Sequence, residues 1–344
     1  MTEVPAIQTG VLSLADFAAR LSEPSALAEQ AGAAGGVVAV VDLSTASPDL
    51  SLAAARAAVR TVPGVIVGVQ SGNPSAATTA WAEVTDVVVP VSSGADADDE
   101  LERLLQSIGG RPKAAAALAV LLRSDRPTIE DGLVAESVVY SMLQAGPEFA
   151  AWRAGRPPVR RRDEPGPPVT LTREGDDLLV TLSRPSRHNA LNTAMRDGLA
   201  EALAAGLADT AATVVLQGDG PSFCSGGDLD EFGTTPDPAT SHLIRLTRSP
   251  AALAARLGPR LVARVHGACI GAGVELAAFA GRVVAHPDTV FALPELSLGL
   301  IPGAGGTVSL PRRIGRHRTA WLALSGERVD ARQARAWGLV DEIT

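Results

Sequence analysis

The chain has 344 residues, of which 46% are apolar and 3% aromatic, and its formal net charge is -8. It is long enough to bury one large core or two smaller ones, and too apolar to be disordered. The acidic balance argues against nonspecific nucleic-acid binding. No apolar run reaches the roughly 20 residues needed to cross a bilayer, and the opening MTEVPAIQTG lacks the basic-then-apolar pattern of a secretion signal. The two cysteines, Cys224 and Cys269, supply neither a disulfide framework nor a metal site. These features point to a cytoplasmic enzyme with reduced thiols, no membrane segment and no nucleic-acid partner.

In chain order, GGVVAVVDLSTASPDLSLAAARAAVRTVPGVIVGVQSGN (35–73) predicts strand, polar loop, helix, strand and Gly turn. AEVTDVVVPVSSG (82–94) predicts another strand. Residues 97–155 are mostly helical, and Thr128 with Asp131 three positions on forms an imperfect capping box. Helices this apolar need a partner surface, either a second domain or another subunit. RAGRPPVRRRDEPGPPVTL (153–171) reads as an exposed linker because its prolines resist helix and remove backbone donors.

Downstream, DLLVTLSRP (177–185) and AATVVLQGDG (211–220) predict strands around a helix over 192–209, with Asn192 or Thr193 as N-cap. PRLVARVHGAC predicts one more strand, GVELAAFA a helix, and GRVVAHP and TVFALPE two short strands. The order fits a layered α/β fold with parallel crossovers. The 35–94 pattern parallels 178–288, so the N-terminal part reads as a degenerate repeat of the same unit. Two unrelated βαβ units are the bland alternative. The expected organisation is an α/β repeat at 1–96, a helical segment at 97–160 and a catalytic core at 161–344.

Chemistry concentrates in two Gly-rich stretches. In GPSFCSGGDLDEF (220–232), adjacent glycines make a tight turn after a buried strand, with Asp228 able to cap a following helix. HGACIGAGVELA (266–277) repeats strand, small residues and helix, so the Ala272 N–H lies unpaired in a first helical turn. Two such N–H groups can converge on one oxygen and form an oxyanion hole. Glu275 lies three residues after Ala272 on the same helix face, and Glu295 follows a short strand and Pro294. Either glutamate alone reads as a capping or surface residue. Together they suit a divided labour of general base and general acid. Neither cysteine has a His at recognisable spacing, and no GxGxxG follows a first strand, which argues against thiol and dinucleotide chemistry.

The pieces SRPSRHNALN, FCSGGDLDEF, HGACIGAGVELA, FALPELSLGLIPGAGGT, LPRRIG and GERVDARQARAWGLVDEI, spanning residues 170–343, resemble the enoyl-CoA hydratase/isomerase family, or crotonase superfamily. The resemblance implies a crotonase-like ββα spiral core in an α/β fold, preceded by the degenerate repeat and the helical segment. It implies oxyanion donors at the N–H groups of Gly227 and Ala272, with Ala272 where the family usually has Gly. It implies that Glu275 positions the water added to a 2-enoyl thioester and that Glu295 donates the proton to C2. The products would be 3-hydroxyacyl-CoAs. Isomerisation, hydrolysis and decarboxylation on the same enolate platform are the alternatives, and a non-catalytic acyl-CoA binding protein is a further one.

The same resemblance assigns acyl-CoA contacts to Arg187, Ala190, Ser225, Gly227, Asp228, Leu229, Asp230 and Ala272, with no metal and no cofactor beyond the CoA of the substrate. Asp230 is a departure, because hydratases often carry Lys there near the CoA phosphates. A second departure is that residues 110–158 read like the family's C-terminal helices placed ahead of the core. The family's habit implies a homo-oligomer, a trimer or hexamer.

Overall fold

The computed structural model describes residues 10–23, 37–45, 51–91, 95–156 and 166–344. The secretion-signal reading at 1–9 and the Pro/Arg-rich stretch at 157–165 lie outside the described residues. The chain divides into two compact units. The first holds Met1–Asp125 with Leu296–Ile301 and Arg316–Gly326; the second holds Arg126–Glu295, Pro302–Gly315 and Glu327–Thr344. The helical segment is thus shared, its first two helices in one unit and its last two in the other.

The first unit is built on a parallel sheet of β1 (Val11–Ser13), β2 (Val37–Asp42), β3 (Val65–Ser71) and β4 (Val87–Val91), side by side in chain order. Helices Leu52–Val59 and Ala76–Ala82 make the crossovers, each started by a serine, Ser51 or Ser75, whose side chain accepts an orphan N–H. Phe17, Leu43, Ile66 and Trp81 fill the core. Below them Arg123 ion-pairs with Asp86 while donating to the carbonyls of Val59, Val62 and Gly64. Asp86 also accepts the Ile66 N–H at 2.8 Å, so this buried carboxylate is fully partnered. The described residues of this unit carry no second, inner sheet.

The second unit has two sheets. The larger runs β13 (Glu342–Ile343), β10 (Arg282–Ala285), β8 (Leu261–Val265), β7 (Thr213–Gly218), β6 (Asp177–Leu182), β5 (Val169–Glu174), parallel except for the β5–β6 hairpin. The smaller runs β12 (Val329–Asp330), β11 (Val290–Ala292), β9 (Ala268–Ile270). The chain alternates between them: β8 in the large sheet, β9 in the small, a helix, β10 in the large, β11 in the small. That climb is the ββα spiral. The stretch expected as one strand, PRLVARVHGAC, therefore breaks between Val265 and Ala268. Gly267 makes the break, with φ +54° and its Cα so close to Pro221 O that a Cβ would lie 2.1 Å away. Asn192 caps helix Thr193–Ala208, as the sequence suggested.

Helix Ile129–Gln144, capped by Thr128, belongs to this unit. It buries Gly132, Glu136, Ser137, Tyr140 and Leu143 and leaves Val134, Val138 and Met142 exposed. Its inward face is chosen by fit, not hydropathy. Gly132 admits Val308, whose Cγ2 would lie 2.8 Å from an added Cβ, and Gly303 admits the Tyr140 ring at 2.4 Å.

Candidate active site

Three strand-like segments lie side by side and end at one place. Cys224 bridges to Cys269, with Cys224 N–H donating to Ala268 O at 3.0 Å and Ile270 N–H to Cys224 O at 2.9 Å. On the other side of β9, Ala292 of β11 pairs with Ile270, and Gly271 N–H donates to Ala292 O at 2.9 Å. The residues just beyond these pairs are Gly227, Ala272 and Glu295. The chain between Glu275 and Glu295 leaves through β10 and returns along β11, and the parallel register brings Glu295 back beside Gly271.

The close approach of the loops needs glycine. A Cβ on Gly271, which has φ +52°, would lie 2.5 Å from Glu295 Oε1 and 3.4 Å from Gly226 Cα. On either side of Gly227, Leu191 N–H donates to Gly226 O at 2.8 Å and Asp228 N–H to Leu191 O at 3.0 Å. Gly227 and Ala272 face a cavity of about 200 Å³, whose wall also includes Glu275, Glu295, Tyr140 and Arg245.

Helix Ala272–Ala277 is buried along its whole length and carries Glu275 in its first turn. Glu275 Oε2 accepts the N–H groups of Ala304 at 2.7 Å and Gly306 at 2.8 Å. Burial pushes its carboxyl well up from the ordinary value, and the charges of Glu295 and Glu136 push it further. Glu295 is raised to about 7, by burial and then by Glu136. Its Oε2 is buried with no hydrogen-bond partner. An oxygen accepting two amide N–H groups is a poor place for a proton, whereas the unpartnered Oε2 of Glu295 is a good one.

The third carboxylate, Glu136, escaped the sequence reading. It is 2% exposed. Its Oε1 accepts Gly305 N–H at 2.7 Å, and its Oε2 accepts both the N–H and the hydroxyl of Thr307 at 2.8 Å. Burial raises it to about 7, while these bonds and the Arg126 charge pull it down. Its place four residues after Gly132 and four before Tyr140, on one helix face, was the available signal.

Of the residues expected to contact CoA, Gly227, Asp228 and Ala272 line the cavity, and the others lie around it as follows. Arg187 is ion-paired to Asp230 at 2.5 Å and to Asp228 at 3.4 Å, and Asp230 also meets Arg156 at 3.3 Å. Asp228 is held by Arg184 at 3.0 Å and lines the cavity. No helix follows it; residues 229–233 form turns, in which Asp228 Oδ1 accepts the Asp230 N–H at 3.2 Å. A helix fails there because Gly233 closes the turn at φ +72°. Ser225 N–H donates to His188 O at 2.9 Å, tying the Gly226–Gly227 loop to the 187–191 turn, within which Ala190 N–H donates to Arg187 O at 3.0 Å. Leu229 lies at the surface, 36% exposed. That turn depends on Asn189, also missed in sequence, which accepts Arg184 N–H at 2.8 Å and donates to Asp219 O and Ser222 O. Burial raises both thiols, Cys224 to about 12, which leaves them inert packing groups.

Comparison with known proteins identifies the family of the second half of the chain. Residues 175–344 match the family model described as enoyl-CoA hydratase/isomerase. The chain is 40% identical over 179 residues to 2,3-dehydroadipyl-CoA hydratase of Escherichia coli K12, covering 51% of this chain and 68% of that one. It is 37% identical over 172 residues to 1,2-epoxyphenylacetyl-CoA isomerase of the same organism, covering 48% and 65%. Among solved structures, enoyl-CoA hydratase from Thermoplasma volcanium GSS1 is 35% identical, with a TM-score of 0.48 over 52% of this chain and 72% of that one. The match thus spans about two thirds of the relatives' length. Among the described residues, no helix is long and apolar enough to cross a membrane. The chain belongs to the enoyl-CoA hydratase/isomerase family and is an enzyme of that type.

Proposed function

We propose that the protein adds water across the double bond of a 2-enoyl-CoA. The thioester oxygen accepts hydrogen bonds from the Gly227 and Ala272 N–H groups. Water is held between the two carboxylates. Glu275 takes a proton from it as its oxygen bonds to C3, the oxyanion donors carry the enolate charge, and Glu295 delivers its proton to C2. Exchange with solvent then restores the pair. The supporting observation is that Glu295 Oε2 is buried and unpartnered in the cavity that also holds Glu275, Gly227 and Ala272. An isomerase needs one carboxylate to move a proton between carbons; two buried ones favour hydration.

The test is loss of conjugated-thioester absorbance with crotonyl-CoA and longer 2-enoyl-CoAs. Turnover is expected, with Glu275→Gln and Glu295→Gln each lowering kcat about 10²- to 10⁴-fold. No turnover at any chain length overturns the hydratase reading, and unchanged activity in both variants overturns the two-carboxylate mechanism. Acyl-CoA binding without turnover favours a binding protein. The exposed stripe of Val134, Val138 and Met142 supports the homo-oligomer reading, which sedimentation tests.

A further inference from the structure

Arg245, on helix Pro238–Thr247, is a half-buried cation whose hydrogen bonds all go to neutral groups, while the buried Glu136 carboxylate acts on it only through its charge. Its Nε donates to Ser137 Oγ at 2.9 Å, its Nη2 to Ser137 O at 3.2 Å and to Ser141 Oγ, and its Nη1 only to Gln144 Oε1 at 3.4 Å. Its guanidinium stacks over the Tyr140 ring, 4.8 Å from the centroid. No carboxylate of the described residues ion-pairs with it. Nearby arginines differ: Arg196 is paired with Asp197 at 2.8 Å and Arg248 with Glu201 at 3.7 Å. A cation this sheltered ordinarily has an anion.

Its position says where that anion comes from. Arg245 lines the cavity of Glu275 and Glu295, and also a second cavity of about 360 Å³ beyond it. The two share a wall of Leu191, Arg196, Arg245, Gly303 and Ala304. Gly227, Ala272 and Arg245 line the same cavity, so an acyl chain held at the two N–H groups shares its space with the guanidinium. The serines fix the guanidinium without neutralising it, and Nη1 is left to meet an acceptor. Beside the site's carboxylates, an anionic tail without such a cation would be repelled.

We propose that Arg245 is a specificity residue that binds a carboxylate at the distal end of the acyl chain, so that the substrates are dicarboxylic 2-enoyl-CoA monothioesters. This rests on the hydration reading above.

The experiment compares hex-2-enedioyl-CoA, thioesterified at one end, with hex-2-enoyl-CoA on the wild-type protein. The free carboxylate is expected to raise kcat/KM about tenfold or more, the scale of one charge-assisted hydrogen bond. Arg245→Met is expected to collapse that ratio, with Arg245→Lys restoring part of it. A wild-type ratio at or below one, or a ratio unchanged in folded Arg245→Met, overturns the proposal. Should neither compound turn over, the hydration reading fails on its own. Calorimetry with adipyl-CoA against hexanoyl-CoA then still decides: tighter adipyl-CoA binding supports the proposal, and equal or weaker binding overturns it.

Discussion

Glu136 and Glu275 divide one row of backbone donors between them. Glu275 accepts the N–H groups of Ala304 and Gly306, and Glu136 those of Gly305 and Thr307. The row opens helix Gly306–Ile314, whose dipole favours negative charge at that end. Both carboxylates are buried, from helices far apart in sequence, and each fixes the loop that fixes the other.

This relationship predicts a pH signature for Glu136→Gln. Glu136 contributes to the raised affinity of Glu275 and Glu295 for protons. It is faced by Arg126, whose charge pulls it down, by Arg245, Glu275 and Glu295, and by the neutral Tyr140 phenol. Removing its charge lowers the pKa of Glu295, which the proposed mechanism requires to be protonated. The alkaline limb of the kcat profile therefore moves to lower pH. The glutamine amide also faces backbone donors, at a cost of about 1–3 kcal/mol in stability. A pH–rate series on variant and wild type checks this; a loss of stability with an unmoved alkaline limb would mean that Glu136 is only an anchor.

Much of the site was legible in sequence because it is local or set by register. The three-residue step from Ala272 to Glu275 is one helical turn, and the return to Glu295 follows from a short parallel strand. Glu136 was not legible for the opposite reason. Val134, Val138 and Met142 form the apolar stripe that hydropathy points to, yet Gly132 and Gly303 let Val308 and the Tyr140 ring approach the other face. Small residues on two distant segments decide that orientation, and the i, i+4 spacing of Gly132, Glu136 and Tyr140 marks a face without saying that it is the buried one. The break at Gly267 was hidden likewise, because a strand passing from one sheet to another keeps its apolar character.

Gly271 carries two constraints at once. Its φ of +52° strains any side chain, and a Cβ there would press on Glu295 Oε1. Gly271→Ala is expected to lose about 1–3 kcal/mol of stability and about 100-fold in kcat through a displaced carboxylate. Gly110→Ala, where nothing lies within 4 Å, is the control and keeps both. Assays and denaturation on the two variants side by side read the contrast; equal behaviour would remove Gly271 from the positioning of Glu295.

Arg187 is spent on aspartates in this structure, so Asp230 suppresses a cation at the place where the resemblance puts the CoA phosphates. Asp230→Asn breaks the ion pairs to Arg187 and Arg156. For partly exposed pairs the release is small, about 0.2–1 kcal/mol. CoA affinity is expected to rise a few-fold, more at low salt than at high. Titration with CoA at two ionic strengths measures it. Weaker binding by the variant would show that Asp230 holds the loop in its binding shape and is no barrier to phosphate.

The buried Glu295 carboxyl, its Oε2 without a hydrogen-bond partner, also sets a pH dependence of stability. Its ordinary value of 4.5 is raised to about 7 in the folded protein. Between these values the folded chain holds a proton that the unfolded chain has released, so stability falls as pH rises through this window. The full penalty, on the order of 3 kcal/mol, is present above about pH 7 and absent below pH 4.5. Glu295→Gln does not titrate. It also removes a charge that raises Glu275, which acts in the same direction. The variant should therefore gain on the wild type steadily as pH rises through that window. Urea denaturation at pH values spanning it measures the gap, and a gap that stays constant would mean that Glu295 remains ionised in the fold and is not the proton donor.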